Sequence, residues 1–315
     1  RILPPPPQEK CGIWPWDGED EEYPDFIIGE DENGGPIRFT CEEGKLANNF
    51  GANPGAPHYL TPVFFKPEVL TPYYDDPALY SITDGRLSCA NSWSVQIDNG
   101  NPGVVMVFLG DIGRDIPSSH RDHWRANNIP PVLEMSESTF RRSFLGEFAE
   151  TENPEHLFKS AYSELQRVWS ERWGWRLYRQ PEGSDADLIK RVRIPLNDSD
   201  PEFEAQLLGL AKLLIDLLNE TDIAEGLQPV KGEKGISKLQ RFLSFHCYEH
   251  ADRDIALLRR IQSLRSRLAA HASGSSGQAF LAKELDGLTK PEFIEKLMRE
   301  ATQMLTDLLD LEPGT

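Results

Sequence analysis

Long apolar runs are missing from this 315-residue chain, and so are most of the short signatures that announce a familiar chemistry. No stretch approaches the roughly 18 apolar residues that a membrane-crossing helix needs, so no membrane partner is expected. A mean hydropathy of −0.49 fits a globular chain of ample length for a sizeable core. Cysteine is scarce. Cys11, Cys41, Cys89 and Cys247 are widely spaced with no Cys-x-x-Cys pair, which favours reduced thiols in a cytoplasmic protein over a disulfide framework or a zinc knuckle. The chain has no Gly-x-x-x-x-Gly-Lys-Ser/Thr loop, no Gly-x-Gly-x-x-Gly after a strand and no Gly-x-Ser-x-Gly elbow. Those absences argue against P-loop, Rossmann and serine-hydrolase chemistry, and no cofactor or metal is expected. The opening run Arg1-Ile2-Leu3-Pro4-Pro5-Pro6-Pro7 has neither an initiator Met nor the apolar core of a secretion signal, as expected of a chain that continues upstream.

Positive charge is also short: 33 Lys and Arg stand against 51 Asp and Glu, a net −18. Such a surface opposes nonspecific binding to a polyanion. The imbalance is uneven. Residues 1–57 hold twelve acids against four bases, or −8, whereas residues 231–271 hold nine bases against four acids, or +5. A phosphate-bearing ligand is expected at that basic island and nowhere else, although scattered arginines on helices usually only face solvent.

What is present divides the chain in three and reads as an α+β fold. Residues 1–57, rich in Pro, Gly and acids with short apolar pieces such as Phe26-Ile27-Ile28 and Ile37-Arg38-Phe39, predict irregular structure with few strands. Residues 58–150 predict a β-rich domain with a small antiparallel sheet. Trp93, Val95 and Ile97 alternate with polar residues, Asp98 to Gly103 is a dense turn cluster, and Val104 to Leu109 is continuously apolar. That pattern predicts a hairpin whose second strand is central, with further strands at Arg86–Cys89 and Tyr59–Phe65.

Residues 151–315 turn to helical periodicity and predict an up-down bundle of about four helices. Ser136 to Thr139 opens a short helix before it. Pro154–Trp173 carries Leu157, Phe158, Tyr162, Leu165, Val168 and Trp169 on one face. Asp200-Pro201 is a helix start with Asp as N-cap, and Phe203, Leu207, Leu210, Leu214 and Leu217 follow as core. Thr289 and Glu292 form a capping box ahead of Phe293, Leu297, Ala301, Met304 and Leu308.

Three sets of polar residues are candidates for chemistry. Gly110-Asp111-Ile112-Gly113-Arg114 and Ser118-Ser119-His120-Arg121-Asp122-His123 leave a predicted buried strand, so Asp111, Arg114, His120 and His123 can line a site for a small ligand or nucleotide. The plainer alternative is that Trp124 anchors a short helix capped by Ser118 and Ser119. His246 and His250 stand at i,i+4 and would share a helix face, but no third ligand follows; surface histidines are expected there. The third set is Arg265-Ser266-Arg267-Leu268-Ala269-Ala270-His271, ahead of the Gly/Ser run from Ala272 to Gly277.

This last run resembles the Arg-x4-6-His motif of the HEPN superfamily of helical domains, many of which are metal-independent RNases. The resemblance covers one helix and its surroundings. It implies Arg265 and His271 as catalytic groups, Ser266 in the polar slot where Asn is common, and Arg260 with Ser266 as substrate contacts. It also implies a homo-oligomer whose paired motifs form one cleft, and RNA as substrate. The chemistry is coherent: His exchanges protons near neutral pH, Arg holds a phosphate, and RNA supplies its own 2′-hydroxyl nucleophile. At about 100° per residue, Arg265 and His271 are about 120° apart and Arg267 and His271 about 40°, so Arg267 competes for the role. A basic solvated face that ends in histidine is the plain alternative.

A broader stretch, from Phe65-Lys66-Pro67 through Gly110-Asp111-Ile112-Gly113-Arg114 and Asn128-Ile129-Pro130-Pro131 to Ala270-His271, is similar to a family of uncharacterised bacterial proteins. That similarity implies a bacterial, cytoplasmic origin. The expected functions are therefore a HEPN-type endoribonuclease of an antiviral or toxin system, or a non-catalytic interaction and dimerisation module whose acidic N-terminal part meets a protein partner.

Overall fold

The computed structural model describes residues 21–83, 85–100, 103–131, 153–271 and 275–313, except for the side chains of residues 269–278. The fold is α+β, with small antiparallel sheets first and helices after them. Strands β1 (Asp25–Glu30) and β2 (Pro36–Thr40) form a hairpin. Its turn is held by Asp31, whose Oδ1 accepts from the backbone N–H groups of Asn33 (2.8 Å) and Gly35 (2.7 Å), with Gly34 at φ 77°.

Next come β3 (Pro62–Phe65), helix α1 (Thr71–Asp75), β4 (Tyr80–Thr83), β5 (Arg86–Cys89), β6 (Trp93–Gln96) and β7 (Val105–Phe108). Helices α2 (Leu109–Asp115) and α3 (Ser118–Ala126) and the short strand β8 (Asn128–Ile129) complete the part. The expected hairpin between the Trp93 strand and the Val105 strand does not form. Instead β6 pairs with β5 in the sheet β4-β5-β6, and β7 pairs with β3 in the sheet β7-β3-β8. Asp98 and Met106 make one isolated bridge where the chain passes between the sheets. The central strand is thus β3, not β7. Alternation and a turn signal predict strands and a reversal, but backbone pairing is decided by which faces meet in the core. Strand β7 is nonetheless buried along its whole length, as its unbroken apolar run requires.

One core unites these pieces. Phe26 and Cys41 from the acidic N-terminal stretch pack with Val63, Phe65, Tyr73, Val105, Leu109, Ile112 and Trp124. Asn128 stitches β1 to β3: its Oδ1 accepts from Ile27 N (2.6 Å) and its amide donates to Phe64 O (3.0 Å). Arg121, almost wholly buried, donates to the carbonyls of Gly113 (2.7 Å), Ile116 (2.9 Å) and Glu22 (2.9 Å), and pairs with Glu21 (3.0 Å). It thereby covers the last carbonyls of α2 and fastens the N-terminal stretch to them.

The helical part contains α4 (Pro154–Trp173), α5 (Leu188–Arg191), α6 (Asp200–Ala211), α7 (Glu220–Ile223), α8 (Gly235–Phe245), α9 (Ala251–His271), α10 (Ser275–Leu285) and α11 (Lys290–Asp307). A π-turn at Lys212–Asp216 and two 3-10 turns bring the described helical segments here to eleven, so short pieces join the long helices that periodicity marks out. The helix expected at Ser136 to Thr139 lies outside the described residues. Asn153 caps α4 by accepting from Glu155 N (3.0 Å), and Gly174 ends it at φ 78°. The capping box of Thr289 and Glu292 is formed. At α6 the cap is Ser199, one residue before the expected Asp200, and at α3 it is Pro117 with no side-chain cap, so Ser118 and Ser119 do not cap. Helix α4 packs on α11, and α9 on α6 and α8. The core stripe of α6 runs as expected through Phe203, Leu207, Leu210 and Leu214.

Polar groups close the seam between the two parts. Buried Glu155 accepts from the Tyr74 hydroxyl (3.2 Å), Lys159 Nζ (2.7 Å) and Ile194 N (3.2 Å). Arg193, also buried, lies 4.7 Å from the Tyr74 ring centre and pairs with Glu202 at 2.9 Å. Burial works to raise the Glu155 carboxyl, but the Lys159 ammonium, His156 and these donors together hold it below the ordinary glutamate range.

Candidate functional site

Helix α6 does not simply stop. At Lys212 it widens into the π-turn, where Leu217 N donates to Lys212 O (3.0 Å). One extra residue per turn pushes backbone and side chains outward, and such bulges inside helices are frequent at functional sites. Facing it is the stretch that leaves α4 beyond Gly174. Residues 177–179 run alongside 217–219, with Arg179 N donating to Leu217 O (2.6 Å) and Asn219 N to Leu177 O (2.9 Å). Gln166 fixes this stretch from the core side, donating to Tyr178 O (2.6 Å) and accepting from Tyr178 N (3.1 Å).

Between the two lies a cleft of about 670 Å³, within the usual range of a small-molecule site. Trp175, Arg176, Arg179, Asp185, Lys212 and Asp216 are among its lining residues. Two of the acids are neutralised: Lys212 Nζ sits 3.0 and 3.1 Å from the Asp185 oxygens, and Asp216 pairs with Arg265 at 2.6 Å. Arg176 and Arg179 have no carboxylate partner among the described residues. Arg176 donates to Gln180 Oε1 (3.2 Å) and Arg179 to Asp216 O (2.8 Å).

Helix α9 thus reaches the cleft through Arg265, and the rest of the Arg/His run points elsewhere. Arg267 lies 4.1 Å from the Phe280 ring centre, on the side of α10. The Ser266 hydroxyl donates to Gln262 O (2.8 Å) within its own helix. Arg260 pairs with Glu284 (3.1 Å) and Glu300 (3.8 Å) and covers the Phe293 ring. His271 is the last residue of α9, and its side chain lies outside the described ones. The Gly/Ser run is only partly a break, because α10 begins at Ser275. Arg265 and Arg267 serve different neighbours, as their separation around the helix requires.

The set of Asp111, Arg114, His120 and His123 falls into two networks. Asp111, buried on α2, accepts from the Tyr59 hydroxyl (2.6 Å) and from Arg114 (2.9 Å), which also pairs with Asp115 (2.7 Å). Burial raises the Asp111 carboxyl above the ordinary range despite the Tyr59 hydroxyl and Arg114, and it pushes the Tyr59 phenol up as well. On α3, His123 donates its Nε2 hydrogen to Val69 O (2.9 Å), since a carbonyl can only accept. Trp124 Nε1 donates to the Tyr73 hydroxyl (2.8 Å), which is also within hydrogen-bond distance of His120 Nδ1 (3.2 Å). Burial followed by the neighbouring His123 lowers the pKa of His120. Each pair serves its own packing neighbours, and Trp124 anchors α3 in the core as the plainer alternative expects, though without the serine caps.

His246 and His250 do not share a helix face. Helix α8 ends at Phe245, and Cys247 takes a left-handed φ of 52° between them. Among the described residues no group of three or more His, Cys, Asp and Glu is placed to hold a metal ion. No described helix is long and apolar enough to cross a membrane.

The cleft residues carry no signal in the sequence. They come from stretches tens of positions apart, and the π-turn hides inside an apolar stripe that reads as ordinary helix. In comparisons with known proteins, no family model, no curated protein and no solved structure matches this chain.

Proposed function

We propose that the helical part is a non-catalytic binding module and that the cleft at the π-turn holds its ligand. The observation that carries this reading is the Arg265–Asp216 pair: the arginine offered by the Arg/His run is engaged by a carboxylate where a substrate phosphate would have to sit. Arg260 is engaged likewise by Glu284, the Ser266 hydroxyl donates to the backbone of its own helix, and Arg267 lies on a ring. The test is thermal denaturation against a set of anionic, cationic and neutral metabolites. At least one should raise the melting temperature of the wild type, by mass action on the folded state, and lose that effect in Glu182→Trp, which fills the cleft from an exposed position. Stabilisation by none of them, or equal stabilisation of the filled variant, overturns the reading.

A HEPN-type endoribonuclease is the second reading, favoured by the reach of Arg265 to Asp216 on the cleft wall. Asp216 is 45% exposed, and a partly exposed ion pair is worth only about 0–1 kcal/mol, so a phosphate can displace it. In that reading the chain is a cytoplasmic homo-oligomer of a bacterial antiviral or toxin system, with His271 completing the site. Cleavage of RNA in EDTA that disappears in both Arg265→Ala and His271→Ala would establish it. Cleavage unchanged in both removes it.

A further inference from the structure

We propose that the cleft takes a free nucleoside monophosphate, with Arg176 and Arg179 on the phosphate and Trp175 against the base. This rests on the reading of the cleft as the binding site. Three cations line it: Lys212 is spent on Asp185, and Asp216 is already paired with Arg265 from α9. The two that remain are both arginines. Each guanidinium carries five N–H donors in a planar fork and uses one group here on a neutral oxygen. A pair of such forks on one cleft matches the oxygens of a single phosphate.

Beside them the Trp175 indole is half-buried and packed at steep angles against Trp169, Trp173 and Phe242, with ring centres 5.6, 6.1 and 5.9 Å away. It is a fixed flat surface of the kind on which bases stack. The remaining charge in the lining is acidic: Glu182 has no cationic partner among the described residues, and Asp222 accepts from the Asn219 amide (2.5 Å). Those carboxylates accept from the hydroxyls and exocyclic amines of a nucleotide. They also repel a second phosphate. In a chain of net −18, a lining of two free guanidiniums among four carboxylates suits one phosphate and not a polynucleotide track.

Isothermal titration of the full chain with AMP, GMP, CMP and UMP tests the proposal. Further arms are inorganic phosphate, the four unphosphorylated nucleosides and a short RNA oligonucleotide. At least one monophosphate should bind saturably, about tenfold or more tighter than inorganic phosphate or its own nucleoside. The double variant Arg176→Ala/Arg179→Ala, which changes only exposed side chains, should lose about tenfold or more of that affinity with an unchanged circular dichroism spectrum. Four results overturn it: no monophosphate bound, inorganic phosphate bound equally well, the oligonucleotide bound more tightly, or affinity unchanged in the double variant. If no nucleotide binds while other metabolites stabilise the wild type and not Glu182→Trp, the ligand class falls and the cleft reading stands.

Discussion

Gly110 and Gly113 show what a single missing side chain does in this molecule. A Cβ at Gly113 would lie 1.9 Å from the carbonyl oxygen of Cys41, and one at Gly110 would lie 2.2 Å from the Tyr59 ring. Helix α2 is therefore seated with its backbone directly on the N-terminal stretch, and Gly113→Ala should cost about 1–3 kcal/mol or more, measured by urea denaturation. Gly110→Ala should cost less, because a ring can shift where a backbone carbonyl cannot. The segment that reads as a crowded polar site is thus explained residue by residue: glycines for close approach, Asp111 for Tyr59, Arg121 for the carbonyls at the end of α2. Those spacings stand in the sequence, but the partners at residues 22, 41 and 59 do not follow from them. His120 supplies a pH test. Its folded-state pKa is lowered, so its contribution is complete above the ordinary imidazole value and is lost as pH falls through that value toward the folded one. Melting temperature should drop between about pH 7 and pH 5, and His120→Phe should flatten that slope relative to wild type.

Among the elements, α4 and α11 are legible in the sequence because long stripes repeat at helical spacing and capping residues sit at their starts. Strand partners are not legible, since β5, β6 and β7 each alternate or run apolar in a way compatible with several neighbours. The π-turn is hidden for a related reason. Leu210, Leu214 and Leu217 keep a 4,3 spacing, so nothing marks the added residue that turns Lys212 and Asp216 into the cleft. Helix α9 also joins that region by one ion pair, which tests whether Arg265 is structural in a weak sense. With 24% and 45% of the two side chains exposed, Arg265→Ala should destabilise by under about 1 kcal/mol after solvent screening. A loss of several kcal/mol in chemical denaturation would mean that α9 depends on this pair far more than its exposure allows.

The whole molecule is joined at a buried, charged seam. Tyr74 belongs to the β-rich part, and Glu155, Arg193 and Glu202 to the helical part, so neither surface is complete alone. Glu155→Ala leaves Lys159 and the Tyr74 hydroxyl without their acceptor and should cost about 3 kcal/mol. Near-ultraviolet and far-ultraviolet signals should still fall together in the wild type; two separated transitions would show that the seam does not couple the parts. Acid should weaken it in a defined direction: the Glu155 carboxyl is held low, so its contribution is lost as pH falls through the folded value.

The same seam sets an order of events on the ribosome. Tyr74 precedes its acceptor Glu155 by 81 residues, which at roughly 5–20 residues per second is a delay of roughly 4–16 s. Through that interval the contact face around Tyr74 has nothing to cover it, and its burial is completed only once α4 and α6 have emerged.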